Sequence, residues 1–335
     1  NYWKDEMWGG LQCINYMQDG NLLASHAYKG SQSTKKTQNV DVPDTEFIRF
    51  NQNGDLQDAM IVHGGGHGSS FTYNKDDQMI YTICKDYGSN QWYVGAMPYR
   101  PNQEVWVNSF VWRCEIPRFI RPVFEFGAAG GHDYMFASML DGTYVLCDVN
   151  DLKANNYKPL VQGKVQDFNV TPSPHGTSDG TTNTMQSNGL HYPFAFFSMG
   201  DFNNKDVKQI LAINVLTQSQ EFKYVLDPQQ NIKLDIPLSD GGVLEPEGLY
   251  YDNNSQALLL SVNQSEWTDG SHTLNKPFSM LYSVPLKYRQ DAFDDAIEYP
   301  SDDNNIPTVE DQSSTISDTD DDNQQDDEGF VSTDE

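Results

Sequence analysis

The chain has 335 residues, 48 acidic against 21 basic side chains, and a formal net charge of −27. Seventeen of the acids lie between Asp291 and Glu335, where there is no Lys or Arg. Nowhere does the sequence present the basic footprint that nucleic-acid or anionic-membrane binding requires, and no apolar run approaches the roughly 18 residues of a membrane span. Cys13, Cys84, Cys114 and Cys147 are far apart, with no CxxC pair. They therefore read as buried thiols rather than as a metal or disulfide framework. The chain begins at Asn1, so a removed leader and a trimmed start are both open.

In chain order, helical periodicity is scarce and short apolar runs bounded by Gly, Asn and Asp are frequent. One unit recurs: a strand of about six residues, a tight turn, and a more apolar strand. It reads Gly10 to Ala24 with an Asp19-Gly20 turn, His67 to Tyr81, His132 to Leu146 with an Asp141-Gly142 turn, Leu190 to Asn214, and Glu245 to Leu260 with an Asn253-Asn254 turn. Asp-Gly and Asn-rich turns supply the φ > 0 positions a hairpin needs. Further strands are predicted at 46–50, 59–63, 92–97, 105–113, 222–226 and 279–284. A recurrence about every 58 residues in an all-β chain predicts a five-bladed β-propeller over residues 8–288. Radial closure also removes the exposed edges that so many strands would otherwise leave.

After Lys287 the pattern stops. Residues 289–335 are predicted to be an acidic, mostly disordered tail, because a segment this polar cannot bury enough surface to offset its ordering entropy. Asp318, Asp320 and Asp322 imitate the start of an EF-hand loop. Asn323 and Gly329 stand where that loop needs Gly and Glu.

Two motifs point toward an esterase and neither has the required context. His63-Gly64-Gly65-Gly66 matches an oxyanion loop, and Gly176-Thr177-Ser178-Asp179-Gly180 matches GxSxG. That serine must sit on a strand-to-helix elbow, whereas its surroundings, SPHGTSDGTTNT, are polar with no helix following. No catalytic set is identified. The candidate ligand-binding residues are His67, His132, His191, Glu245 and Glu247. Each lies where a blade's first strand is expected to open, so together they are expected to converge at one end of the central channel. Glu245, Glu247 and Asp133 also make a carboxylate set of the kind that glycoside hydrolysis uses. Trp3, Trp8, Trp106, Trp112 and Trp267 are aromatic platforms for sugars or core residues. No cofactor is expected, and a bound divalent cation is left open.

Several stretches resemble a known family. Gln91-Trp92-Tyr93-Val94-Gly95 with Pro98, then Val105-Trp106 and a strand ending Glu115-Ile116, is similar to the helveticin J-like class III bacteriocins. So are the Gly-His openers and Glu245-Pro246-Glu247-Gly248-Leu249. The same stretches resemble the related propellers of teichoic-acid-biosynthesis protein C and staphylococcal phage receptor-binding proteins. The resemblance implies a secreted five-bladed propeller, antibacterial or surface-recognising, with no catalytic residues to carry over. The function expected is a secreted or cell-surface, bacteriocin-like protein that recognises a surface carbohydrate or cell-wall polymer. The alternatives are a propeller glycoside hydrolase and a phage-type receptor-binding or adhesin module.

Overall fold

The computed structural model describes residues 11–28, 44–172, 183–200, 207–226, 242–252, 257–268 and 273–285. The predicted tail, the GxSxG stretch, Trp3 and Trp8 lie outside the described residues. The first sheet is an antiparallel meander of β1 (Cys13–Tyr16), β2 (Leu22–Tyr28), β3 (Asp44–Phe50) and β4 (Leu56–Val62). The second takes β5 (Thr72–Asn74), β6 (Met79–Asp86) and β7 (Gln91–Pro98). The chain then leaves it as β8 (Glu104–Val105), which adds in parallel to β4 of the first sheet, and returns as β9 (Trp112–Ile116). The third holds β10 (Arg121–Glu125), β11 (Tyr134–Ser138), β12 (Thr143–Asp148) and β13 (Pro159–Lys164), and the fourth β14 (Met185–His191), β15 (Phe194–Met199), β16 (Gln209–Asn214) and β17 (Ser219–Val225).

These are four propeller blades, and they correct the expectation of five. The remaining sheet, β18 (Gly242–Asp252), β19 (Ala257–Thr268) and β20 (Thr273–Pro285), has three strands and no fourth among the described residues. The sequence repeat could not reveal this, because a hairpin reports two strands of a blade and not whether the blade is complete. The copies are also out of step. Those at 10, 67 and 245 fall on first-and-second strands, whereas those at 132 and 190 fall on second-and-third. Any tight antiparallel turn carries the same Asp-Gly or Asn-rich signal, whichever strands it joins. The run at 105–113, predicted as one strand, is instead the end of β8, a 3-10 turn and the start of β9.

Inner strands such as Phe194–Met199 are buried at every position, on both faces, so the cores lie between sheets. Phe47, Met60, Phe71, Ile80 and Met97 pack between the first two blades, and Phe136, Tyr144, Phe197 and Leu211 between the third and fourth. Around the axis the first strands are stitched by side chains that bond a neighbour's backbone. Asn15 Nδ2 donates to Phe71 O (3.1 Å), Phe124 N–H to Thr72 Oγ1 (2.8 Å), and Asn188 Nδ2 to Arg121 O (2.5 Å). Ser198 Oγ donates to Glu247 O (2.6 Å) and Ser261 Oγ to Gln12 O (3.3 Å), so the three-stranded sheet bridges the fourth blade and the first. These bonds run from one blade to the next, outside the hydrogen-bond ladders of the individual sheets.

Among the described residues no helix is long and apolar enough to cross a membrane; α1 (Val149–Lys153) has five residues. The four cysteines are free and buried, and burial pushes the Cys13 thiol up to about 12 and Cys114 to about 11. Thiols so shifted are poor nucleophiles.

Candidate functional site

The first strands run side by side, so their two ends form two different chemical settings. At the end where they begin, polar side chains close on one another. Ser70 Oγ and Ser187 Oγ meet at 2.9 Å, from β14 of the fourth blade to the loop entering β5 of the second. Gln186 Nε2 donates to Glu245 Oε1 (2.8 Å), and Gln12 Nε2 and Asn263 Nδ2 donate to Glu247 Oε1 (2.9 and 2.8 Å). Glu247 is 3% exposed. Burial first, and then the charge and hydrogen bond of Glu245, hold its carboxyl well above the usual carboxylate range, although Gln12 and Asn263 favour the ionised form. The neighbouring Glu245 carboxyl thus disfavours a second negative charge on the buried Glu247.

At the opposite end the strands part. A cavity of about 260 Å³ opens between β5, β10, β14 and β18 and the turns that follow them. Its wall carries the rings of Phe126, Tyr250 and Tyr251 beside Asn74, Lys75, Asp76, Glu125 and Asp252. Glu125 is fixed from the fourth blade: His191 Nδ1 lies 3.1 Å from Oε1, and the backbone N–H of Tyr192 donates to Oε2. The His191 ring stacks on Tyr251 at 4.1 Å, and Tyr192 stacks on Tyr134 at 4.4 Å. Lys75 Nζ lies 5.9 Å from the centre of the Tyr16 ring. Aromatic faces next to hydrogen-bonding carboxylates and amides, in a half-open concavity, form a surface suited to a polar ring-shaped ligand.

The sequence candidates divide between these places. Glu245 and Glu247 lie together at the sealed end. His191 ends β14 and stands behind the open cavity. His67 is half-buried on the loop before β5. His132 is on the turn before β11, a second strand, with its side chain 54% exposed and Nδ1 3.7 Å from Asp148. The five are thus not one ring of equivalent positions, because the hairpin copies that aligned them start on different strands. Asp133 accepts the Gly127 N–H (2.9 Å) on that same turn, in a different sheet from Glu245 and Glu247. Asp76, Glu125 and Asp252 were missed. Their shared signal is an acid at the end of an aromatic strand: Tyr73-Asn74-Lys75-Asp76, Phe124-Glu125-Phe126 and Tyr250-Tyr251-Asp252.

The HGGG segment is a structural clasp. His63 Nδ1 lies 2.9 Å from Asp44 Oδ2, its Nε2 3.0 Å from Glu104 Oε2, and its ring stacks on Trp106 at 4.3 Å. Burial alone would lower the imidazole, but Asp44 and Glu104 outweigh it, so the ring is held protonated above its ordinary value. The N–H groups an oxyanion hole would need are already used, Gly64 on Asp44 Oδ1 (2.8 Å) and Gly65 on Val62 O (3.2 Å). Gly64 has φ +76°, and a Cβ there would meet Lys85 O at 2.4 Å, so only glycine lets this loop lie against β6. Among the described residues, no three His, Cys, Asp or Glu side chains gather as a metal site.

No family model and no curated protein matches the chain. Among solved structures it is similar to the tail fibre of Staphylococcus aureus phage P68, with a TM-score of 0.56 and 15% identity over 83% of this chain and 50% of that one. It is also similar to a Bacteroides caccae protein of unknown function (TM-score 0.38, 10% identity, 66% of this chain and 68% of that one) and to the Dos1 propeller (0.33, 10%, 84% and 60%). The chain thus spans about half the length of the tail fibre. The likeness to the tail fibre shows a shared fold. The helveticin J-like bacteriocin assignment is not upheld: its motifs are short strand-and-turn patterns, and such patterns recur in any propeller.

Proposed function

We propose that this chain is the recognition propeller of a phage-type receptor-binding or adhesin protein, acting at a cell surface by binding a surface glycan in the axial cavity. The observation that carries the reading is the contrast along the axis. One end is sealed by mutually bonded polar groups, whereas the other holds a cavity of about 260 Å³ with aromatic rings and carboxylates on its wall. The propeller fold shared with the phage tail fibre supports it. Sugar rings present apolar C–H faces and peripheral hydroxyls, which match Phe126 and Tyr250 on one side and Asn74, Asp76 and Glu125 on the other.

The test is retention of the purified chain on bacterial cell walls and on an array of surface polysaccharides. Phe126→Ala and Tyr250→Ala are each expected to weaken retention by about tenfold, the loss of one stacked ring at a binding hot spot. Absence of binding across a broad panel, or binding that neither substitution weakens, would remove the reading.

A further inference from the structure

The segment between β7 and β9 leaves the second blade, adds β8 to the outer edge of the first, and returns. Backbone bonds hold this strap in place: the Asn102 N–H donates to Ala59 O (2.7 Å), the Ile61 N–H to Gln103 O (3.0 Å) and the His63 N–H to Val105 O (2.9 Å). Val105 and Val107 are buried in the core between the two blades. Glu104 and Trp106, by contrast, reach solvent, and both meet the His63 ring.

The two carboxylates on that ring are unequal. Asp44, on β3, is fully buried and also accepts from the Gly64 N–H (2.8 Å) and from the Tyr87 hydroxyl (3.0 Å) in the turn after β6. The Glu104 side chain, on β8, is 37% exposed, so water replaces a bond it loses. The Cys84 thiol of β6 donates to the His63 carbonyl (3.1 Å) and not to the ring. A neutral imidazole has one N–H. Kept on Nδ1, toward buried Asp44, that proton leaves the Nε2 lone pair facing Glu104 Oε2, acceptor against acceptor. The bond to the strap is therefore the one that deprotonation removes.

We propose that His63 is a pH-sensitive latch on the strap: its charged ring clips Glu104 and Trp106 to the first blade, and loss of the ring proton lets the strap lift from β4. An imidazolium also attracts the indole face in a way that a neutral ring does not. Burial opposes the charge, and the Asp44 and Glu104 carboxylates together outweigh it, so the titration lies above the ordinary value of 6.5. The clip is complete below that ordinary value and is lost as pH rises through the folded one. Val105 and Val107 stay anchored, which keeps the opening local and reversible.

Backbone hydrogen exchange of the full chain at about pH 6 and about pH 9, with the intrinsic rate at each pH divided out, tests this. Protection of the Ile61 and His63 amides, which donate to the strap, is expected to fall about tenfold at the higher pH, the loss of one charge-assisted hydrogen bond. The amides of β15 are expected to keep theirs. Glu104→Gln supplies an amide that accepts from the charged ring and donates to the neutral one, and is expected to shrink the difference to less than about twofold. Glu221→Gln, on the outer strand β17, is the charge control and is expected to leave it unchanged. Equal protection at the two pH values in the native protein would overturn the latch, as would a fall of native size in Glu104→Gln. A matching fall in β15 would assign the change to the whole fold and overturn it as well.

Discussion

The two ends of the axis use the same residue types for opposite purposes. At the sealed end Glu245 accepts from Gln186, and the buried Glu247 accepts from Gln12 and Asn263. At the open end Asp76, Glu125 and Asp252 stand on the wall of a cavity. A buried carboxyl surrounded by amide donors is part of the ring's closure. The same group on the cavity wall, next to Phe126 and Tyr250, borders space that a ligand can enter. The contrast teaches that an acid's role here follows from whether it borders open space, and not from its place in a sequence repeat.

The sharpest way to break this contrast is Glu247→Ala. Removing the carboxyl strands the Gln12 and Asn263 amides at the seam between the three-stranded sheet and the first blade. It is expected to destabilise the protein by about 2–4 kcal/mol, read as a lowered midpoint in urea unfolding. A loss under about 0.5 kcal/mol would mean the sealed end is not structural.

A second effect separates charge from shape. The Glu247 carboxyl is raised above the ordinary value of 4.5 in the folded protein, so its proton is bound more tightly in the folded than in the unfolded chain. Its contribution is complete below the unfolded value and is lost as pH rises through the folded one. Glu247→Gln keeps the shape and cannot ionise. It is expected to flatten that decline, so that the variant gains on the native protein from about pH 5 upward, measured as unfolding midpoints across pH. An unchanged pH profile would show that Glu247 does not titrate above its ordinary range in the folded protein.

The smallest effect belongs to the open end. Asp76 is exposed at the cavity rim, and Asp76→Asn is expected to change stability by less than about 0.5 kcal/mol. A larger loss in the same unfolding assay would erase the distinction between the two ends.

Much of the architecture was legible from one chain. The Asp19-Gly20 and Asp141-Gly142 turns are where they were expected, between β1 and β2 and between β11 and β12. Gly20 and Gly142 have φ of +80° and +77°. The β content, the propeller class and the burial of all four cysteines also followed from local pattern. The site was less legible. The column of His67, His132, His191, Glu245 and Glu247 assumed that like hairpins occupy like places in a blade, and the copies at His132 and Leu190 fall one strand later than the others. Asp76, Glu125 and Asp252 looked like ordinary turn formers, because the cavity that distinguishes them exists only between strands about 50 or more residues apart.

Short recurring apolar runs and turn chemistry, read from sequence alone, determined that the chain forms antiparallel hairpins arranged radially. Both act between residues close along the chain, where geometry follows from residue type. Only the tertiary structure decided that four blades are complete and a three-stranded sheet bridges the ring. It also decided that His63 is clasped between Asp44 and Glu104, and that one end of the axis is sealed while the other is open. Those outcomes depend on which first strands become neighbours and how deeply each side chain is dried. Desolvation, the largest influence on Glu247, is a property of the assembled ring and of no segment within it.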